Sequence, residues 1–464
     1  MALSAQLSIA DHIVFYFILL LTIGAIAVSY ARRKKNETSG DEDLKFLDYL
    51  LMGRRLSLPL FVATLVSSWY GGIFGVTEIA FESGVYNFLT QGVFWYITYI
   101  LFALLLVDKI RSFGAITLPE LVGKMYGPRA EKIAAIFNFF NILPVAYALS
   151  AGLFVQTLTG WDLTFSVVLA TGFVCLYTMC GGFRADVFTD VVQFAVMCTA
   201  VLMVTAFAVA TYGGLGFLQS HLPPAHFDPM GGHGLSHTLV WGFIALATLV
   251  DPGFYQRCFA ATNSKTAKLG ILISTLIWCI FDLCTTAGGM YARAVLPDAA
   301  ANQAYLLFGL QLLPSGLRGF FLAGILATIL STLDSFLFIA SNTLCYDLLP
   351  KRFGKKMLAN NLCTVLAFVV TVALVPFFHG SVKDVWKTLG SYSAGCLLLP
   401  MLCGYIRPHW IGEKGFIFST LMGAAAITWW RFTEHQGFWQ NVDDLYIGLS
   451  ATLAGMVLSR SIRG

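Results

Sequence analysis

Unbroken apolar runs of about twenty residues restrict this chain more than any other feature of its sequence. An α-helix needs roughly 20 apolar residues to cross the ~30 Å hydrocarbon layer of a bilayer. The chain has 464 residues, of which 57% are hydrophobic and only 12% are charged, so it holds about a dozen such spans and leaves little length for a soluble domain. A membrane β-barrel is excluded because its strands alternate apolar and polar residues. We therefore predict an all-α polytopic membrane protein.

Polar breaks divide the sequence into thirteen predicted membrane helices. These runs span residues 12–31, 57–80, 86–107, 130–158, 161–180, 184–212, 236–250, 269–294, 317–341, 358–378, 383–405, 415–432 and 443–460. Asp11 and His12 precede the first run and the basic residues 32–35 follow it, which reverses the charge order of a cleaved signal peptide. We expect this helix to be retained, with the amino terminus outside.

The positions of the basic residues predict the orientation of the chain. With the amino terminus outside, 24 of the 29 Lys and Arg residues fall in predicted cytoplasmic segments, as the positive-inside rule requires. The exceptions are Arg293, Arg318, Lys383, Lys387 and Arg431. An odd number of helices then places the carboxyl terminus inside. We predict a multi-pass protein of the inner, or plasma, membrane.

Two predicted helices contain residues that interrupt helical structure. Gly71-Gly72 lies in the middle of the second run, and the short seventh run has Trp241-Gly242 at one end and Asp251-Pro252-Gly253 at the other. Interrupted helices at corresponding positions of two halves are typical of inverted-repeat transporters, whose solute site lies at the breaks. We place the breaks at Gly71-Gly72 and Trp241-Gly242. Close helix packing also favours glycine pairs, and it stays open as the alternative.

The ninth run carries oxygen-bearing side chains on one face. Thr328, Ser331, Thr332 and Ser335 follow the spacing of a single helix face, and Asp334 lies beside it. Hydroxyl and carboxylate groups are hard oxygen ligands that suit a small hard cation. A carboxylate inside a span indicates function, because placing its charge in hydrocarbon is costly. The alternative is structural, since Ser and Thr also bond back to their own helix.

Two further acids lie inside predicted spans. Asp190, at the cytoplasmic end of the sixth run, would share a cation or a proton with Asp334. Asp282, in the eighth run, is a secondary candidate. We expect hydroxyl or backbone groups inside the bundle to hold Asp282.

Several short motifs appear in the order in which one transporter family has them. They are Gly53–Pro59, Thr117–Glu120, Tyr126-Gly127, Tyr177-Thr178, Gly181–Ala185, Thr189–Gln193, Asp251–Arg257 and Ser331–Ser335. On these motifs the chain resembles the sodium:solute symporter family over almost its whole length.

The resemblance implies the leucine-transporter fold in one transporter domain of residues 1–464. The five runs within 57–212 would form the first repeat, and the five within 236–405 the second, inverted repeat. The run at 12–31 would be a leading helix, and the two runs within 415–460 would be trailing helices. The resemblance also implies sodium-driven uptake, with Na⁺ as the coupling ion.

The same resemblance assigns sodium ligands by motif. Counting along the second run from Gly75 gives the carbonyls of Leu65 and Ser68, whereas counting from Pro59 gives those of Ser68 and Gly71, so Ser68 is common to both. Some family members have a second cation site, to which Asp190 and Ser335 correspond, and Asp334 stands where many members have Ser. The implied sodium ligands are Ser68, Thr328, Ser331, Thr332, Asp190, Asp334 and Ser335.

Polar and aromatic residues inside the spans predict where the solute binds. The candidates are Ser67, Ser68, Trp69, Tyr70, Gln91, Asn141, Trp241 and Tyr392. These side chains are neutral, and they suit a small polar organic solute with an apolar flank. Packing or interfacial anchoring is the alternative role for each aromatic residue.

These features predict a sodium-coupled symporter that imports a small polar organic solute by alternating access. A proton-coupled carrier of the same fold is the closest alternative, because Asp190 and Asp334 could exchange protons, and a membrane sensor without transport is another. We expect no enzymatic activity, since the spans carry no HExxH, GxSxG or paired Ser/His pattern. The expected partners are the bilayer and a small-molecule solute, with no nucleic acid and no obligate protein partner.

Overall fold

The computed structural model of the protein describes residues 7–36, 42–350 and 357–461. Within these ranges the ordered elements are helices, with a single bridge between Leu56 and Ala261 in place of any strand. Nine of the described helices are long and apolar enough to cross a membrane. This confirms the predicted all-α polytopic class. Residues 351–356, which belong to a predicted cytoplasmic connection, lie outside the described residues.

Each of the thirteen predicted runs overlaps helical structure. The helices are α1 Ile9–Asn36, α2 Glu42–Leu51, α3 Leu58–Ser67, α4 Ile73–Ser83, α5 Phe88–Ser112, α6 Leu118–Tyr126, α7 Pro128–Thr159, α8 Leu163–Met179, α9 Gly181–Tyr212, α10 Leu235–Leu246, α11 Pro252–Ala260, α12 Ser264–Val295, α13 Ala301–Leu312, α14 Leu317–Leu348, α15 Met357–Leu374, α16 Val382–Ile406, α17 Glu413–Arg431 and α18 Asp444–Ser461. The short helices α2, α6, α11 and α13 lie in connections and are additional to the predicted runs, as is a further short helix, Leu215–His221. The number of membrane crossings and the orientation stay predictions.

The first predicted break is confirmed. Helix α3 ends at Ser67 and α4 begins at Ile73, so residues 68–72 are not helical. Glycines are needed here because the segment passes very close to two other helices. A Cβ atom on Gly71 would press against Thr332 of α14, and one on Gly72 would collide with the ring of Trp386 of α16.

The second break lies further along the chain than predicted. Helix α10 runs without interruption through Trp241-Gly242, so the predicted position is wrong. The chain leaves the α-helix at Ala247, makes a tight turn to Val250 and becomes extended at Asp251. Pro252 disfavours helical geometry in the residue before it. The Asp251 carboxylate then accepts the Phe254 N–H at 3.0 Å and caps α11.

A glycine separates α8 from α9 at a sharp corner. Gly182 has a φ of +66°, a conformation that glycine adopts at no steric cost. A Cβ atom there would also lie 2.6 Å from the ring of Tyr49 in α2. The corner lets two spans follow one another with almost no connecting loop.

Helix α14 lies at the centre of the bundle and is buried over nearly its whole length. Helices α1, α9 and α15 pack around it. The outermost of these, α1, exposes a row of large apolar side chains that includes Ile13, Phe17 and Leu20. Such a surface is expected where a helix faces lipid, because lipid tails do not penalise exposed apolar groups.

Candidate solute and cation sites

Helix α14 meets the broken helix at a cluster of oxygen atoms. The Ser331 hydroxyl donates to the Ser67 carbonyl at 2.7 Å, and the Thr332 hydroxyl lies 3.3 Å from the same carbonyl. Both hydroxyls also lie within 3.3 Å of the Thr328 carbonyl. Because α3 ends at Ser67, the helical turn that would use this carbonyl is missing. Two hydroxyl and two carbonyl oxygens therefore converge at the first break.

The converging carbonyl belongs to Ser67 rather than to the predicted Ser68. The Ser68 hydroxyl donates to the Thr64 carbonyl at 2.5 Å, and the Ser67 hydroxyl donates to the Ala63 carbonyl at 2.8 Å. Both side chains thus bond back to α3. Ser67 presents its carbonyl to α14, whereas its hydroxyl does not line the cavity described below. The assignment of Ser68 as a sodium ligand stays a prediction.

A buried polar network links α9, α11 and α14. Asp190 is fully buried and accepts the Thr64 hydroxyl at 2.5 Å. Arg257 donates to the Thr64 hydroxyl at 3.1 Å and to the Ser335 hydroxyl at 3.0 Å. Ser335 in turn donates to both carboxylate oxygens of Asp186 at 2.9 Å. Asp190 and Ser335, which we predict to act together, are therefore linked through an arginine.

Asp334 completes this network on its other side. Thr178 of α8 donates a hydrogen bond to Asp334. Asp334 and Asp186 line the same small cavity, of about 10 Å³, at the corner between α8 and α9. Asp186 therefore belongs to the network of Asp190 and also shares a cavity with Asp334.

Asp186 and Arg257 are not among the predicted ligands. The signal for Asp186 is its position four residues before Asp190, because residues at i and i+4 share a helix face. Arg257 lies inside a recognised motif, but its contacts depend on how α11 packs. An Arg257 nitrogen lies 4.0 Å from an Asp186 oxygen, and both side chains are almost fully buried. Asp186 lies beside the guanidinium, and Asp190 is linked to it through Thr64. Asp334 shares a cavity with Asp186. One positive charge is thus set against three buried carboxylates, so the cluster retains excess negative charge when all three are ionised.

A cavity of about 150 Å³ lies between the two helix breaks. The predicted solute residues Trp69, Tyr70, Gln91 and Asn141 line it. The second break contributes Ala247, Thr248 and Asp251 to the same walls.

The other predicted solute residues lie away from this cavity. Ser67 and Ser68 face their own helix, as described above. Trp241 precedes the second break and is not part of the lining. The Tyr392 hydroxyl lies 2.8 Å from the Thr428 hydroxyl of α17, outside the cavity. The structure therefore brings together half of the predicted set.

Aromatic and acidic side chains dominate the cavity wall. The aromatic residues are Trp69, Tyr70, Trp95, Tyr99, Tyr147, Trp278, Phe336 and Trp386. Asp251 and Asp282 supply two carboxylates, and the lining residues include no Lys, Arg or His. Tyr96 donates its hydroxyl to Asp282, which confirms that a hydroxyl group holds this acid.

Comparison with known proteins finds one family across most of the chain. The sodium:solute symporter family model matches residues 49–390. Sodium/glucose cotransporter 4 of Mus musculus is 27% identical, with 89% of this chain and 67% of the relative covered. Sodium/glucose cotransporter 2 of Rattus norvegicus is 26% identical, with 90% of this chain and 71% of the relative covered. The solved structure of a Na⁺-coupled sialic acid symporter, substrate-bound and outward-open, shares the fold, with a TM-score of 0.78, 16% identity and 97% of both chains covered.

Proposed function

Since the chain belongs to the sodium:solute symporter family, we propose that it imports a small polar organic solute with sodium by alternating access. It acts in the inner, or plasma, membrane and catalyses no chemical reaction. The observation that carries this proposal is the convergence of the Ser331 and Thr332 hydroxyls on the Ser67 carbonyl, directly beside a cavity between two broken helices.

The first sodium ion binds at the break between α3 and α4 in this proposal. Its ligands are the hydroxyls of Ser331 and Thr332 and the carbonyls of Ser67 and Thr328, with Ser67 taking the place of Ser68. Oxygen atoms of this kind suit a hard cation that has lost its water. Freed backbone carbonyls at broken helices coordinate sodium in transporters built from inverted repeats.

Sodium and solute are coupled through the first break. Ser67 is followed within three residues by Trp69 and Tyr70, which line the cavity. A sodium ion held on the Ser67 carbonyl therefore orders the segment that contacts the solute. By thermodynamic linkage, sodium tightens solute binding by the same factor as solute tightens sodium binding.

A second cation binds at the acidic network in this proposal. Asp190, Asp334 and Ser335 are the predicted residues, and Asp186 joins them through the contacts described above. Arg257 supplies one positive charge to three buried carboxylates. A monovalent cation would offset part of the remaining charge, which is costly to bury alone.

Replacing sodium with potassium should abolish uptake. A solute library is first screened by thermal shift with and without sodium, because a ligand stabilises the folded state that binds it. Uptake of the solute that gives the largest shift is then measured in proteoliposomes under an inward sodium gradient. The same measurement with potassium in place of sodium, at fixed pH, is the comparison. Uptake driven by a proton gradient in potassium would instead establish the proton-coupled carrier.

Asp190→Asn should lower the number of charges moved per solute. The substitution removes the carboxylate charge at the second cation site, but it leaves the Ser331 and Thr332 site intact. Charge and solute fluxes are measured together in proteoliposomes at clamped voltage. Asp298→Asn, which changes an exposed acid in a connection, is the matched control. An unchanged charge-to-solute ratio with unchanged pH dependence would make Asp190 structural.

A further inference from the structure

The charge of the cavity wall bears on the charge of the solute. We propose that the transported solute carries a positively charged ammonium group, which Asp282 pairs with and the aromatic faces of the cavity enclose. This inference rests on the proposed transport function and adds the chemical class of its substrate.

Asp282 is a buried carboxylate without a charged partner. Its side chain is only 2% exposed and lines the cavity. One oxygen accepts the Tyr96 hydroxyl, whereas Oδ1 has no hydrogen-bond partner among the described residues. No Lys, Arg or His belongs to the cavity lining. A buried carboxyl becomes ionised at low cost only when an opposite charge accompanies it and otherwise stays protonated. A cationic solute would supply that charge and would also pair with the free Oδ1.

The second acid of the cavity is already engaged. Asp251 caps α11 by accepting the Phe254 N–H at 3.0 Å. The guanidinium of Arg257, one turn later, donates to the Gly253 carbonyl and to the buried polar network rather than entering the cavity wall. Of the two acids, Asp282 is the one with an oxygen that has no hydrogen-bond partner in the described part of the chain and is available to a solute.

Aromatic rings pack against one another on the wall of the same cavity. The ring centres of Tyr99 and Trp278 lie 4.7 Å apart, and the centre of Trp69 lies 6.0 Å and 6.2 Å from them. The faces of aromatic rings attract cations, and cages of such rings recognise quaternary ammonium groups. A neutral sugar would also stack on these rings, but it would leave the Asp282 charge unmatched.

The cavity volume suits a small molecule. A dry protein cavity of about 150 Å³ holds benzene, which has six non-hydrogen atoms, and the cavity here has about the same volume. Tetramethylammonium and choline are in this size range. They are used below as probes of the ammonium group.

The first test compares choline with its neutral isostere, 3,3-dimethylbutan-1-ol, in the purified full-length protein. The two molecules have the same shape and differ in the charge of one atom. We expect choline to bind at least about tenfold more tightly in sodium chloride, measured by thermal shift and by tryptophan fluorescence. Equal binding of the two molecules, or no binding of choline, tetramethylammonium or ethanolamine, would overturn the proposal.

The second test removes the charge of Asp282. Asp282→Asn should weaken choline binding at least about tenfold and leave sodium binding unchanged, with Asp298→Asn as the matched control. Wild-type choline affinity in Asp282→Asn would contradict the proposal. If this variant does not fold, the comparison of isosteres in the wild-type protein decides alone.

The same measurements separate this inference from the transport function. Potassium, not choline, replaces sodium throughout, since choline is itself a probe. Sodium-driven uptake of a neutral sugar such as glucose, without choline binding, would overturn the ammonium group and leave symport standing. Choline binding that is equal in sodium and potassium would support the ammonium group and contradict sodium coupling.

Discussion

Ser331→Ala and Thr332→Ala should each weaken sodium binding by about 10- to 100-fold. Each change removes one oxygen ligand from the proposed sodium ion, which has few protein ligands and little water around it. Hydrogen bonds to charged groups contribute about 1.5–3 kcal/mol, and we take a similar value for a lost sodium ligand. Solute binding should weaken together with sodium binding. The Ser67 carbonyl that both hydroxyls contact lies just before Trp69 and Tyr70, which line the cavity.

Sodium titrations of thermal stability at constant ionic strength, with potassium as the counter-titrant, measure this loss. Ser341→Ala is the matched control: Ser341 is a buried serine on the same helix whose hydroxyl donates to its own helix at the Phe338 carbonyl. The control should keep wild-type sodium affinity. Wild-type sodium affinity in both Ser331→Ala and Thr332→Ala would place the ion elsewhere.

Arg257→Gln should destabilise the protein by about 3–5 kcal/mol. Removing one partner of a buried ion pair leaves an uncompensated buried charge, and the cost is of this size. Here the loss would strand Asp186 and would also remove the hydrogen bonds to Thr64 and Ser335. The loss of stability should therefore exceed the loss caused by replacing an exposed arginine.

The double variant Arg257→Gln with Asp186→Asn tests the cause of this loss. Removing the stranded charge should recover part of the stability, and the two changes should be strongly non-additive. Thermal unfolding in detergent measures all variants, with Arg55→Gln, at an exposed position, as the control. Equal stability of Arg257→Gln and the wild-type protein would show that the guanidinium does not stabilise the network.

The membrane class and the helical runs follow from the sequence alone. Long apolar runs have one stable arrangement in a bilayer, because each backbone group must be satisfied within its own segment. The break at Gly71-Gly72 and the oxygen face of α14 are local patterns as well. They could be predicted without knowing which helices are neighbours.

The position of the second break depends on which of two local signals is stronger. Trp241-Gly242 stays helical, and the chain opens instead at residues 247–251, where Pro252 and the Asp251 cap disfavour continuation. Both residues are visible in the sequence. Their effect outweighs that of a single glycine, which costs a helix only about 1 kcal/mol.

The membrane helices, the interruption between α3 and α4 and the polar face of α14 can be read from the sequence, because hydropathy and helix periodicity act between residues close in the chain. The packing of the helices was needed to show that the Ser67 carbonyl contacts α14, that Thr64 and Arg257 link Asp190 to Ser335, and that Asp282 lies in an aromatic cavity. These contacts join residues up to 265 positions apart. They depend on how each helix is rotated about its axis and on how closely the helices approach one another. A shift of one residue turns the side-chain direction by about 100°, since a helix has 3.6 residues per turn.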